Sequence, residues 1–250
     1  MTVAHLTPEW SAPRAVRAAF TLRAGGVSAP PFDMLNIATH VGDRAEDVAE
    51  NRRRVHRTLA LPSEPVWLQQ VHDARVLDLD QAQVSSRADA ALTRRRGRVC
   101  VVQVADCLPV LLAALDASAV AVAHCGWRGL AGGVLEATVR ALDVAPGGLC
   151  AWLGPAIGPD AFEVGEEVRD AFVARDATAA QAFSANVRGR WQCDLFALAR
   201  QRLSQLGIRA VAGGGLCTYS DPGRYFSYRR DGRCGRMAAL IWLDGQEERP

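Results

Sequence analysis

The dominant pattern in the chain is a series of short apolar runs, each too brief for a helix and bounded by charged or turn-forming residues. Residues 16–22, 66–68, 76–79, 88–92, 99–104, 110–115, 119–123, 150–153, 208–212 and 237–243 read as strands. The runs at 99–104, 110–115 and 119–123 are almost wholly apolar, as expected of central strands covered on both faces. Helical spacing appears at 45–59, where Val48, Val55 and Leu59 stand among charges, and again at 129–142, 166–173 and 195–206. Strands follow strands more often than they alternate with helices, which predicts an α+β sandwich and not a doubly wound sheet. No repeat, low-complexity block or Pro/Gly/Ser linker divides the sequence, so one domain over 1–250 is expected.

Composition narrows the picture. Apolar residues make up 49% and charged residues 22%, too apolar for disorder, and the net charge of +2 announces neither nucleic acid nor an anionic membrane as partner. All 29 basic residues are arginines. With no lysine there is no Schiff-base chemistry and no P-loop or kinase-type nucleotide lysine, so a bound anion must be held by arginine, backbone N–H groups or a metal. The seven cysteines are odd in number and no pair has C-x-x-C spacing, which argues against a disulfide framework. The N-terminal MTVAHLTPEW has neither the basic start nor the apolar stretch of a signal peptide, and the apolar run from 108 to 115 is far shorter than the roughly 20 residues of a membrane span. A soluble, reducing, cytoplasmic setting is expected. The run Arg94-Arg95-Arg96-Gly97-Arg98 reads as a solvated turn in preference to a nucleic-acid patch.

Five histidines are few enough to weigh singly. His5 and His56 lie in polar contexts, and His40 lies in a long loop and is ambiguous. His72 follows a strand, and His124 ends one, where an imidazole must find a partner. Val104-Ala105-Asp106-Cys107-Leu108-Pro109 sets an acid and a thiol at a break between strands, able to project into a cleft. Two imidazoles and a thiolate suit a three-ligand zinc site with an open fourth position, and the same atoms suit a metal-free Cys–His nucleophile pair. Cys125, one residue past His124, should face the opposite side of its strand. Gly126, Gly129, Gly132 and Gly133 surround Arg128 at a strand-to-helix passage where an anion is conceivable, but the G-x-G-x-x-G spacing is missing.

Several segments together resemble the YfiH-like, laccase-domain proteins, once labelled polyphenol oxidases and now read as purine nucleoside phosphorylases. They are Thr21-Leu22-Arg23-Ala24-Gly25-Gly26-Val27-Ser28, Gln70-Val71-His72, Ala105-Asp106-Cys107-Leu108-Pro109, His124-Cys125-Gly126-Trp127-Arg128-Gly129, Leu153-Gly154-Pro155-Ala156-Ile157-Gly158 and Phe226-Ser227-Tyr228-Arg229-Arg230-Asp231-Gly232. They span nearly the whole chain in family order. The resemblance implies a single-domain α/β/β/α sandwich akin to cysteine-hydrolase toxins, with zinc or copper held by His72, Cys107 and His124. It also implies phosphorolysis of adenosine, inosine and methylthioadenosine, with some adenosine deamination. Where the family more often has alanine, this chain has Cys125. Within that reading Asp106 joins the three ligands as a catalytic candidate, and Arg23, Asn36, Gln70 and Arg128 are the candidates for holding nucleoside and phosphate. A monomer or homodimer acting on a small nucleoside and phosphate is implied. Two alternatives stay open: a metal-independent Cys–His hydrolase or amidase acting on cell-wall precursors, and a copper phenol oxidase, for which five scattered histidines are a poor endowment.

Overall fold

A computed structural model of the chain describes residues 2–81 and 85–245. Strands β1 (His5–Leu6) and β2 (Val16–Thr21) precede helix α1 (Ala45–Thr58). Five strands follow in succession: β3 (Val76–Asp78), β4 (Ala90–Thr93), β5 (Val99–Val104), β6 (Leu108–Ala114) and β7 (Val120–Cys125). Helices α2 (Trp127–Gly132) and α3 (Val134–Leu142) lead to β8 (Leu149–Leu153), β9 (Glu163–Val164) and α4 (Glu166–Val173). The chain closes with β10 (Phe183–Ala185), β11 (Trp191–Cys193), α5 (Leu195–Gln205), β12 (Ala210–Gly213), α6 (Tyr228–Asp231) and β13 (Met237–Leu243).

These strands form a four-stranded antiparallel sheet, ordered β1-β2-β13-β5, and a six-stranded mixed sheet, ordered β12-β8-β6-β7-β4-β3. A small sheet, β10-β11-β9, stands apart from both. The two-residue periodicity of the strands sets the layers. On β5, Cys100, Val102 and Val104 face the six-stranded sheet, while Val99 and Val101 pack outward with Val55 of α1. On β13, Met237, Ala239 and Ile241 turn inward and Ala238, Leu240 and Trp242 outward. The six-stranded sheet does the same: Leu111, Ala113, Val120, Val122, Cys150 and Trp152 meet the first sheet, and Val110, Leu112, Ala121, Ala151 and Leu153 meet the helical layer of α3, α4 and α5. The order is helix, sheet, sheet, helix, the expected α/β/β/α layering. Both faces of the central strands are buried, which is why they carry no polar alternation.

Two expected elements differ. Residues 66–68 pair as no strand; Leu68 plugs the inter-sheet core while Trp67 lies under the Arg52 guanidinium, 3.9 Å from ring centroid to Cζ. The expected helix over 129–142 is two helices, broken at Gly133, whose φ of 96° is open to glycine and strained for other residues. The arginine run is engaged within the fold: Arg94 pairs with Asp78 at 3.0 Å and donates to the Ala141 carbonyl, and Arg96 donates to the Asp244 carbonyl.

Candidate active site

Between β5 and β6 the chain leaves one sheet and enters the other, and it does so in three residues, 105–107. Asp106 makes the turn with a left-handed φ of 86°, a strained conformation for a side-chain-bearing residue. Its carboxylate ties the turn down, accepting from the Thr218 hydroxyl at 2.6 Å and the Arg229 backbone N–H at 2.7 Å. Cys107 is thereby set at the junction of the sheets, partly exposed. His124 comes to it through strand pairing, because β7 runs beside β6 with Pro109 opposite His124. His72 reaches the same place from the loop before β3, also at positive φ, 63°.

The residue that organises the centre is Asp89, fully buried at the start of β4. One carboxylate oxygen accepts from His124 Nδ1 at 2.8 Å and from the His72 backbone N–H at 2.9 Å. The other accepts from the backbone N–H groups of Val71 and Asp73, each at 2.9 Å. One anion therefore fixes the loop that carries His72 and orients the imidazole of His124, leaving Nε2 of His124 for the cleft. Burial alone would push the Asp89 carboxyl up, but the His124 hydrogen bond and the backbone donors bring it down to about 2.

His72, Cys107 and His124 offer one ligand atom each, all within 4.8 Å of one another, and among the described residues they form the one cluster of three such groups. Cys107 Sγ lies 3.8 Å from His72 Nε2, and the two imidazoles meet edge to face at 4.8 Å between centroids. Burial opposes a thiolate at Cys107, yet the His124 charge and hydrogen bonds from both histidines lower its pKa to about 6. Burial likewise opposes an imidazolium at His124, yet the Cys107 thiolate and Asp89 raise it to about 9. The sulfur is flanked by both rings, and the charge of His124 favours its thiolate form.

The donor set fits a zinc-like ion. Ligand atoms of a tetrahedral N/S site stand roughly 3.3–3.8 Å apart, so a contraction of about 1.5 Å or less completes this one. Gly126 leaves the room: a Cβ there would sit 2.9 Å from Cys107 Sγ and 2.9 Å from His72 Cδ2. The expected exclusion of Cys125 agrees with its place in the helix-side core, where burial raises its thiol well above the usual range.

A cleft of about 240 Å3 opens over the centre, lined besides these three by His40, Gln70, Gln103, Ala105, Tyr228 and Arg236. Gln70 acts as a surrogate strand, donating to the Gln103 carbonyl at 2.8 Å and accepting from its N–H at 2.7 Å. The other residues expected to bind substrate do not line the cleft. Arg23 spends all three guanidinium nitrogens on Asp33 and on the Pro222 carbonyl. Asn36 is buried, its amide wholly used by Ala38, Asp43 and the Arg236 N–H. Arg128 is exposed and stacks on Trp127, 4.3 Å from Cζ to ring centroid. Asp106 has both carboxylate oxygens committed to the turn, so its geometry is that of a brace. Sequence reasoning missed Asp89, whose signal was a lone acid inside an apolar strand, and Arg236, whose tract Arg233-Cys234-Gly235-Arg236 carries no motif.

Fold and centre together define an α/β/β/α protein with a histidine–cysteine site at a sheet-to-sheet junction. The chain belongs to the family described as multi-copper polyphenol oxidoreductase laccase, whose model matches residues 17–244. It is 54% identical over 242 residues to a purine nucleoside phosphorylase of Pseudomonas aeruginosa, covering 96% of this chain and 98% of the relative. It is 50% identical over 239 residues to the purine nucleoside phosphorylase YfiH of Escherichia coli, covering 95% and 98%. The crystal structure of a Neisseria meningitidis protein of family DUF152 superposes with a TM-score of 0.91 at 46% identity, over 96% of this chain and 99% of that one.

Proposed function

We propose that the protein is a purine nucleoside phosphorylase acting, as a single domain, on adenosine, inosine and methylthioadenosine, with adenosine deamination as a side activity. The observation that carries this reading is the joining of a preformed His72–Cys107–His124 centre to a cleft of nucleoside dimensions, in a chain half identical to relatives of that name. In phosphorolysis a phosphate oxygen bonds to ribose C1′ as the C1′–N bond breaks. The bonding pair leaves on the purine, which takes up a proton, and the products are the free base and ribose 1-phosphate. Positive charge grows on the sugar and negative charge on the base, so catalysis calls for an anion held against the sugar and a donor at the base.

His72, Cys107 and His124 would hold zinc or copper, which when bound supplies a Lewis acid at the leaving base or at purine C6. The protein's own part is to present the Cys107 sulfur, to fix His124 through Asp89 and to leave room beside Cys107 and His72 with Gly126. Gln70 stays the expected nucleoside contact, since it alone of the four candidate binding residues lines the cleft. None of the described helices is long and apolar enough to cross a membrane; the cytoplasmic setting is part of the proposal.

A second reading is favoured by one specific feature. Cys107, His124 and buried Asp89 stand in the order nucleophile, base and orienting acid, the arrangement of a metal-free cysteine hydrolase. Incubation of metal-loaded protein with inosine, with and without phosphate, separates the two. Hypoxanthine and ribose 1-phosphate formed only with phosphate is the expected result; phosphate-independent turnover, or none, overturns the phosphorylase.

A further inference from the structure

An anion needed in the cleft has no holder among the arginines expected to serve it. Arg23 is paired with Asp33 at 3.1 Å, and Arg128 stands outside on Trp127. Arg236 is the one arginine on the cleft wall. Among the described residues it forms no ion pair, and its hydrogen bonds run through Nη1 alone, to the carbonyls of Cys234 at 2.8 Å and Gly235 at 3.0 Å. Carbonyl tethering fixes the guanidinium without neutralising it, leaving Nη2 and Nε as donors. The backbone beneath is pinned too, since the Arg236 N–H donates to buried Asn36 at 3.0 Å.

Arg52 adds to the positive field at this end of the cleft. His40 lines the cleft beside Arg236, and its pKa is lowered by burial and by the positive fields of Arg236 and Arg52. A phosphate dianion is attracted to the guanidinium, whose planar fork suits two phosphate oxygens at once.

Resting on the phosphorylase reading for its substrate, we propose that Arg236 seats the phosphate, with His40 at its side, and that buried Asn36 is the positioning residue behind it. The nucleoside then lies between phosphate and metal centre, its sugar towards Arg236 and its base towards His72, Cys107 and His124. In that pose the attacking oxygen approaches C1′ from the side away from the leaving base, as an in-line displacement requires.

The test uses Arg236→Gln and Arg236→Lys in the full-length, metal-loaded protein. Inosine turnover is followed against phosphate concentration, and inorganic phosphate binding is read directly by 31P line broadening without nucleoside. Arg236→Gln is expected to raise KM for phosphate roughly ten- to a hundredfold, the loss of a charged hydrogen-bonded contact, with KM for inosine changed less than about threefold. Arg236→Lys is expected to recover part of the loss by restoring charge without the fork, and it carries the test should the glutamine variant fold poorly. An unchanged phosphate KM, or equal loss towards both substrates, overturns the proposal. So does 31P broadening that survives Arg236→Gln and vanishes in Cys107→Ser, which would put phosphate on the metal centre. If the wild type has no phosphorylase activity, the line-broadening arm still decides: phosphate binding lost in Arg236→Gln upholds the seat while the phosphorylase reading falls, and absence of binding by the wild type refutes the seat.

Discussion

At the scale of single residues, the charge state of the centre hangs on Asp89. Its carboxylate is held near pKa 2, so it is ionised at any pH at which the protein works, and it stabilises the charged form of His124. His124 in turn stabilises the Cys107 thiolate. The signs follow from linkage. Asp89 ionises more readily in the fold than outside it, so its stabilisation is present above about pH 4 and fades as the pH falls towards 2. The thiolate, favoured down to about 6, is lost below that, and the imidazolium, favoured up to about 9, is lost above it. In protein freed of metal, alkylation of Cys107 by iodoacetamide is therefore expected to rise with pH around a midpoint near 6. In Asp89→Asn the midpoint should move upward, towards the ordinary cysteine value of about 8.5. A midpoint that stays put would mean Asp89 acts on the loop alone. None of this was open to sequence reading. An acid flanked by Ala88 and Ala90 looks like one polar position of a strand, and its three backbone donors exist only once the 71–73 loop has folded against it.

At the scale of elements, the sequence was more legible where the physics is periodic. The apolar strands from 99 to 125 and the amphipathic α1 stand close to where spacing put them, because burial on one or two faces writes itself into the residue pattern. Cys107 and His124 could be chosen as a pair since one directly precedes an apolar strand and the other closes one, and adjacent β6 and β7 bring them together. What periodicity does not encode is the passage between sheets, made by positive φ at Asp106, or the break at Gly133. Arg23 and Asp106 sit in the matching motifs but serve the scaffold, since a motif records that a residue matters without saying whether it faces the cleft. Gly126 illustrates the reverse. Its φ of −60° is ordinary, so glycine is needed there for space alone, where the α2 start approaches sulfur and imidazole. Gly126→Ala should overpack the centre by about 1–3 kcal/mol. For a chain of this size that lowers Tm by only some 2–12 °C. Zinc retention against a competing chelator should fall at least tenfold. Retention equal to wild type would show that the centre has more slack than these contacts allow.

At the scale of the whole molecule, the centre lies at the junction of the two sheets, with Cys107 packed against the edge of the inter-sheet core. Three layers of buried side chains hold helices and sheets together, and none of them depends on a metal. Removing the ion should thus leave the protein folded, which makes the choice between metalloenzyme and cysteine nucleophile an experiment on one intact scaffold. The two readings use Cys107 differently. As a ligand, its replacement by serine trades a thiolate for a hydroxyl that binds zinc far more weakly. As a nucleophile, it must form a bond to substrate and needs no ion. His72 tilts the balance: it stands 3.8 Å from the sulfur with its own loop anchored by Asp89, a costly arrangement with no purpose in a simple Cys107–His124 pair. Protein stripped under reducing conditions, with its near-UV spectrum unchanged, is expected to lose inosine phosphorolysis and to regain it on adding zinc. Cys107→Ser is expected to lose both metal and at least 99% of turnover, about 2.7 kcal/mol in barrier terms. Full activity in the stripped protein, with a substrate-derived mass on Cys107, would instead make the sulfur the reacting atom and Asp89–His124 its base.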